Sequence, residues 1–284
     1  MNFAALEKID PDSLYDHLYT VYTEHRPREA QHLGYVDKSS ESIDIGLARS
    51  GIDVTIRQSL SGLSSATQSS STGFICWQTA VYFADWATAF SPCPLNGLLG
   101  PQTVVLELGA GVGALLASVL GPTVGHYVAS DQAHVLKLMK ENFANNVVSQ
   151  KYTSTTSQKT HGTGPRKRDV DEEWSRVDFV ELDWESPASG LATFSALTGR
   201  SAPDYVFACD TIYNTYLIEP FVKCVKSAMD THTVAVVGMQ LRDEAVTEEF
   251  LETVFREGLQ VYRVNDENLS DELIEGFVVY CLRR

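Results

Sequence analysis

A glycine-rich turn with a carboxylate twenty residues behind it is the part of this 284-residue chain best suited to chemistry. Val104 to Leu108 is an apolar run carrying Glu107, followed by Gly109-Ala110-Gly111 and then a second apolar stretch, Leu115 to Leu120. That order predicts a strand, a tight loop and a helix. Glycines there let the backbone turn sharply and bring a ligand close to main-chain N–H groups at a helix N-terminus. Asp131 closes another apolar run, His126 to Ser130. A carboxylate so placed can accept hydrogen bonds from the two hydroxyls of a ribose. The pair reads as a nucleoside site. Gly109, Gly111 and Ala114 also fit the G-x-G-x-x-A dinucleotide fingerprint, so the glycines alone leave two cofactor classes open. Against the nicotinamide class, no Tyr has Lys four residues later, and the loop follows a hundred-residue lead.

A second group of reactive side chains lies in Ala208-Cys209-Asp210-Thr211-Ile212-Tyr213-Asn214, at the end of another apolar run. The C-terminal ends of strands carry the site in an α/β sheet. Asp210 and Tyr213, three apart, would face the same side of a turn. Asp210 could instead cap the following helix, and Tyr213 could be a packing residue below the pocket.

The elements needed to position these groups alternate along the chain. Strands are expected at 104–108, 126–131, 177–183, 205–210, 233–239, 259–264 and 277–282. Helices are expected at about 113–120, 133–146, 218–229 and 246–256, with none between the last two strands. A final hairpin would make the last strand antiparallel. Trp77 to Phe90 has helical spacing and Pro92 to Pro101 ends it. Upstream, Leu14, Leu18, Val21 and Tyr22 predict a helix, and Ile43 to Leu63 alternates about Ser50-Gly51 as a hairpin. Ser61 to Thr72 reads as a loop. Ser149 to Glu173 is polar and without periodicity, which predicts a mobile surface insertion. The expected division is an N-terminal extension, 1–72, and a catalytic domain, 73–284.

Composition narrows the class. An apolar content of 44% supports a sizeable core, and no apolar run reaches the length of a spanning helix. The five cysteines are scattered, without a C-x-x-C pair, as expected of reduced thiols in a cytoplasmic protein. The seven histidines lack ligand spacing, so no metal is expected. A net charge of −15 repels phosphate backbones and suits basic partners, although solubility alone would also explain it.

Four segments together resemble one family. Glu107-Leu-Gly-Ala-Gly111 resembles the first motif of the seven-strand S-adenosylmethionine methyltransferases. Asp210-x-x-Tyr213 resembles the Asp-x-x-Tyr signature of the methyltransferase-like 21 group of protein lysine methyltransferases. Thr72-Gly73 to Trp77 is similar to that group's Thr-Gly-x-x-x-Trp segment, and Leu182-Asp183-Trp184 to its Leu-Asp-Trp. His32 to Asp37 and Val54 to Leu60 look most like the fungal ribosomal lysine methyltransferase 5 branch of these enzymes.

The resemblance implies a Rossmann-like α/β sheet of seven strands in the order 3-2-1-4-5-7-6, with S-adenosyl-L-methionine as cofactor. It implies that Trp77, Glu107, Gly109, Ala110, Gly111, Asp131, Asp183, Trp184 and Ala208 hold the cofactor, Asp131 at the ribose and Asp183 with Trp184 at the adenine. Asp210 and Tyr213 would be catalytic. The implied acceptor is a lysine of a basic cytosolic protein, a ribosomal protein or translation factor, met by a monomer that binds neither nucleic acid nor membrane. Trp77 could equally be the core anchor of its helix, and Trp184 a packing residue at a strand end. The runner-up functions are a small-molecule methyltransferase and a silent methyltransferase fold used for binding.

Overall fold

The computed structural model describes residues 1–27, 33–60, 62, 72–155 and 176–284, with backbone alone for 148–155. The strands are β1 (Glu7–Ile9), β2 (Ser42–Leu47), β3 (Ile52–Arg57), β4 (Val104–Leu108), β5 (His126–Asp131), β6 (Arg176–Glu181), β7 (Tyr205–Cys209), β8 (Val234–Gln240), β9 (Gln260–Arg263) and β10 (Phe277–Arg283). The helices are α1 (Leu14–Glu24), α2 (Gln78–Ala89), α3 (Leu115–Leu120), α4 (Ala133–Thr155), α5 (Ala188–Thr198), α6 (Thr215–Ala228), α7 (Glu244–Arg256) and α8 (Asp271–Ile274).

One sheet runs β6-β5-β4-β7-β8-β10-β9-β1. Counted from β4, its first seven strands follow the expected order 3-2-1-4-5-7-6. The pairs among β4 to β8 are parallel, and β10 is antiparallel to both its neighbours. The central strands β4, β7 and β8 are buried along their whole length, as parallel strands covered on both faces must be. The β2–β3 hairpin, α2, α3 and α4 cover one face; α1, α5, α6 and α7 cover the other.

The hairpin forms a second, two-stranded sheet whose alternate residues, Ile43, Ile45, Leu47, Val54 and Ile56, are buried in the main core. Two buried asparagines of α4 fasten it. Asn142 donates to the Arg57 carbonyl at 2.9 Å and accepts from the Arg57 N–H at 2.9 Å; Asn146 does the same for Thr55 at 3.0 and 2.8 Å. Asn142 also donates to the Val112 carbonyl at 2.7 Å, so the hairpin, α4 and the glycine loop share one side chain.

Four expectations change. The sheet has an eighth strand: β1 pairs with β9 at the edge, too short at three residues to show a period. The helix after β5 runs to Thr155, into the 149–173 segment read as unstructured; 156–175 lies outside the described residues. Between β6 and β7 lies α5, which buries only Gly190 and Phe194 and so leaves little hydrophobic signature. Between β9 and β10 lie a 3-10 turn, Asp266–Asn268, and the single turn α8. The Ser61–Thr72 loop reading falls almost wholly outside the described residues. No helix among the described residues is long and apolar enough to cross a membrane.

Candidate active site

The strand order reverses between β4 and β7, and a cleft of about 980 Å3, including its open mouth, lies there at the strands' C-terminal ends. Gly109, Ala110, Gly111, Asp131, Asp183, Trp184, Asp210, Tyr213, Trp77 and Glu107 all line it. The four motifs, far apart in the chain, therefore converge on one space.

The loop after β4 is left-handed at Gly109 (φ +73°) and Gly111 (φ +62°), conformations that favour glycine. A Cβ at Gly109 would stand 2.8 Å from Thr211 Cγ2 and 3.1 Å from the Trp184 ring. The loop's N–H groups do not serve a ligand as the sequence led us to expect. Those of Gly109 and Ala110 both donate to the Ser130 carbonyl at 3.0 Å, that of Gly111 to Asp131 Oδ2 at 2.8 Å, and that of Val112 to the Gly73 carbonyl at 2.8 Å. Four consecutive donors are thus used within the protein. A pyrophosphate needs such donors at a helix N-terminus. The four N–H groups of 109–112 are not free for one, and Gly109 to Gly111 present their backbone to the cleft.

Asp131 accepts from the N–H of Gly111 and, at 2.7 Å, from its neighbour Gln132. Both carboxylate oxygens keep further lone pairs beside the cleft. Burial raises its pKa, against the lowering effect of those two N–H groups. Glu107 is buried and accepts from the Tyr127 hydroxyl at 2.9 Å. Burial pushes its carboxyl up to about 8; the tyrosine's hydrogen bond opposes this and the Asp131 charge adds to it. Trp184 packs edge-on to Phe221 with centroids 5.1 Å apart, so it is braced as well as exposed to the cleft. Asp183 beside it accepts from the Glu185 N–H at 3.0 Å. Ala208, expected to hold the cofactor, does not reach the cleft. It is fully buried against the α6 side of the sheet, because residues along a strand alternate faces; its neighbour Cys209 lines the cleft instead.

On the other side of the cleft, the Thr72 hydroxyl donates to Tyr213 Oη at 2.7 Å, and the Trp77 indole N–H donates to the Thr72 carbonyl at 3.0 Å. Trp77, at the N-cap of α2, is part of the wall as well as an anchor. Asp210 is left-handed (φ +59°), a conformation uncommon outside glycine that aspartate tolerates better than most residues. It does not cap α6; Asn214 does, accepting from the Tyr216 N–H at 3.1 Å. Nor does Asp210 stand alone. Arg242 grips both its oxygens, at 2.6 and 2.5 Å. The same guanidinium lies 5.3 Å from the Trp77 ring centre and donates to the Leu33 carbonyl at 2.8 and 3.0 Å. Sequence reasoning missed Arg242. The available signal was its position two residues past the C-terminal end of β8, the strand beside β7. No group of three or more His, Cys, Asp or Glu side chains among the described residues is placed to hold a metal ion.

No family model matches the chain. Relatives cover nearly its whole length. The ribosomal lysine N-methyltransferase 5 of Lachancea thermotolerans is 27% identical across 94% of this chain and 96% of its own, and that of Zygosaccharomyces rouxii is 29% identical across 79% and 78%. The Saccharomyces cerevisiae protein of the same name is 24% identical across 95% and 98%. This chain is their homologue. Among solved structures, a TehB-like SAM-dependent methyltransferase of Corynebacterium glutamicum covers 67% of this chain and 84% of its own at 15% identity, with a TM-score of 0.41. That overlap is too partial to add to what the strand order already establishes.

Proposed function

We propose that this chain is an S-adenosylmethionine-dependent protein lysine N-methyltransferase acting on a basic cytoplasmic protein, a ribosomal protein. The observation that carries the reading is the pairing, in one cleft, of a glycine loop with spent amides and a ribose-type carboxylate on one side, and of Asp210, Tyr213 and Trp77 on the other. The relatives' names supply the acceptor class. The chain's excess of acidic residues agrees with a basic acceptor.

In this reading Asp131 holds the ribose, Asp183 and Trp184 flank the adenine, and Gly109 to Gly111 form the wall along the methionine portion. Bound there, S-adenosylmethionine supplies an activated methyl group, so the protein's main task is alignment. An ammonium has no lone pair, and free lysine has a pKa of about 10.4. The acceptor must therefore lose its proton in the cleft. The Tyr213 and Trp77 rings provide apolar walls, and desolvation between them disfavours the charged form. A small-molecule acceptor is the weaker alternative.

The test is transfer of radiolabel from the cofactor into fractionated ribosomal and cytosolic proteins, with mass spectrometry to locate the label. Labelled lysine in a ribosomal protein supports the proposal. A label found only in small molecules overturns it. The cofactor is checked separately by thermal shift: S-adenosylhomocysteine should stabilise the protein, and NAD and NADP should not.

A further inference from the structure

We infer that Arg242 is a positioning residue that neutralises Asp210, so that this carboxylate can orient an acceptor amine without holding it as an ammonium. The inference rests on the lysine-acceptor reading above and deepens it.

A lone carboxylate beside a lysine raises the lysine's pKa, which opposes methyl transfer. Asp210 is not lone. Its side chain is 1% exposed, and both oxygens are paired with one guanidinium whose own side chain is 20% exposed. The planar fork of arginine suits that bidentate grip, which a lysine cannot reproduce. Arg242 does not line the cleft, whereas Asp210 does. An incoming amine therefore meets a carboxylate backed by a positive charge, a dipole with free lone pairs rather than a net anion. The same guanidinium spans the Trp77 ring and the Leu33 carbonyl, so it fixes the acceptor wall and the Leu33–Val36 segment together.

Other ionisable groups face the pair. Cys209 lies next to Asp210, and its thiol is pushed up by burial and by the charges of Glu107 and Asp210. Tyr213 lines the cleft from beyond β7; Tyr22 of α1 feels Arg242, Asp243 and Glu244. Asp131, Asp183 and Glu185 line the cleft from the cofactor side. All but Arg242 are neutral or acidic, so its removal leaves no cation in reach of Asp210 among them.

The experiment is the pH profile of single-turnover methyl transfer, at saturating cofactor, into the ribosomal-protein fraction that the wild type labels. Arg242→Gln should move the midpoint upward by about 1 pH unit, the low end for an uncompensated neighbouring charge. Arg242→Lys should keep the midpoint near the wild type with a slower rate. The double variant Arg242→Gln/Asp210→Asn, charge-balanced again, should bring the midpoint back. Thermal melts give a readout independent of activity. At neutral pH Arg242→Gln should melt below the wild type, because the buried Asp210 carboxylate loses its bidentate partner, and the double variant should regain most of that loss.

An unchanged midpoint in Arg242→Gln overturns the inference while leaving the lysine-acceptor reading intact. A wild type that labels no lysine overturns that reading instead. Where Arg242→Gln does not fold, the double variant decides: recovery of folding with a wild-type midpoint supports charge balance, and failure to recover contradicts it.

Discussion

At the residue scale, Asp131, the carboxylate that the proposal assigns to the ribose, also accepts from the Gly111 N–H. Asp131→Ala should weaken S-adenosylhomocysteine binding by about 2–4 kcal/mol, because charge-assisted hydrogen bonds contribute about 1.5–3 kcal/mol each and more than one is lost. Calorimetry on the folded variant measures this, and unchanged affinity would remove Asp131 from the site. The proposed reading puts Tyr213 on the acceptor side. Tyr213→Ala removes the slot wall and the Thr72 contact, and should slow methyl transfer about 100-fold, the cost of roughly 1 Å of misplacement, while cofactor affinity changes by less than about 1 kcal/mol. Tyr213→Phe keeps the ring and should lose much less. Single-turnover rates beside cofactor titration separate the two effects.

Element boundaries and motif positions were largely legible in the sequence, and the hydrogen bonding of the elements was not. The β5 bounds agree with expectation residue for residue, because Gly125 before the run and Asp131 at its end mark where it starts and stops. The glycine loop was legible as a turn. The destination of its N–H groups was not, because their acceptors, Ser130, Asp131 and Gly73, come from other segments. Ala208 was misplaced because a strand's two faces look alike when both are buried. Arg242 stands 32 residues after Asp210, and only the adjacency of β7 and β8 brings them together.

Asn142 illustrates the same dependence among elements, joining the β2–β3 hairpin, α4 and the glycine loop through three hydrogen bonds while fully buried. Asn142→Ala leaves the buried Val112 carbonyl and two part-buried groups of Arg57 without this partner, and should cost at least about 1–3 kcal/mol of stability, the penalty for one unsatisfied buried group. Denaturant melts read the loss. A variant as stable as the wild type would mean that the hairpin is held by apolar packing alone.

At the scale of the whole molecule, the sheet order puts the cleft where the chain changes direction, and the N-terminal strand, helix and hairpin close around the sheet. Global stability should carry the mark of Glu107, whose folded pKa of about 8 lies above its ordinary value of 4.5. A raised carboxyl favours the folded state fully below the unfolded pKa, and that contribution is lost as pH rises through the folded value. The ligand-free protein should therefore lose stability, on the order of a few kcal/mol, between about pH 4.5 and 8, and Glu107→Gln should lose less over that window. Parallel pH dependences in the two proteins would refute this assignment.

The central claim, methyl transfer to a protein lysine, is met most directly by incubating the wild-type protein with labelled S-adenosylmethionine and ribosomal proteins and locating the label by mass spectrometry. The account predicts label on the side-chain nitrogen of a lysine in a ribosomal protein, greatly reduced with Tyr213→Ala. Label confined to a small molecule or to another side-chain type, or a Tyr213→Ala variant as active as the wild type, would contradict it.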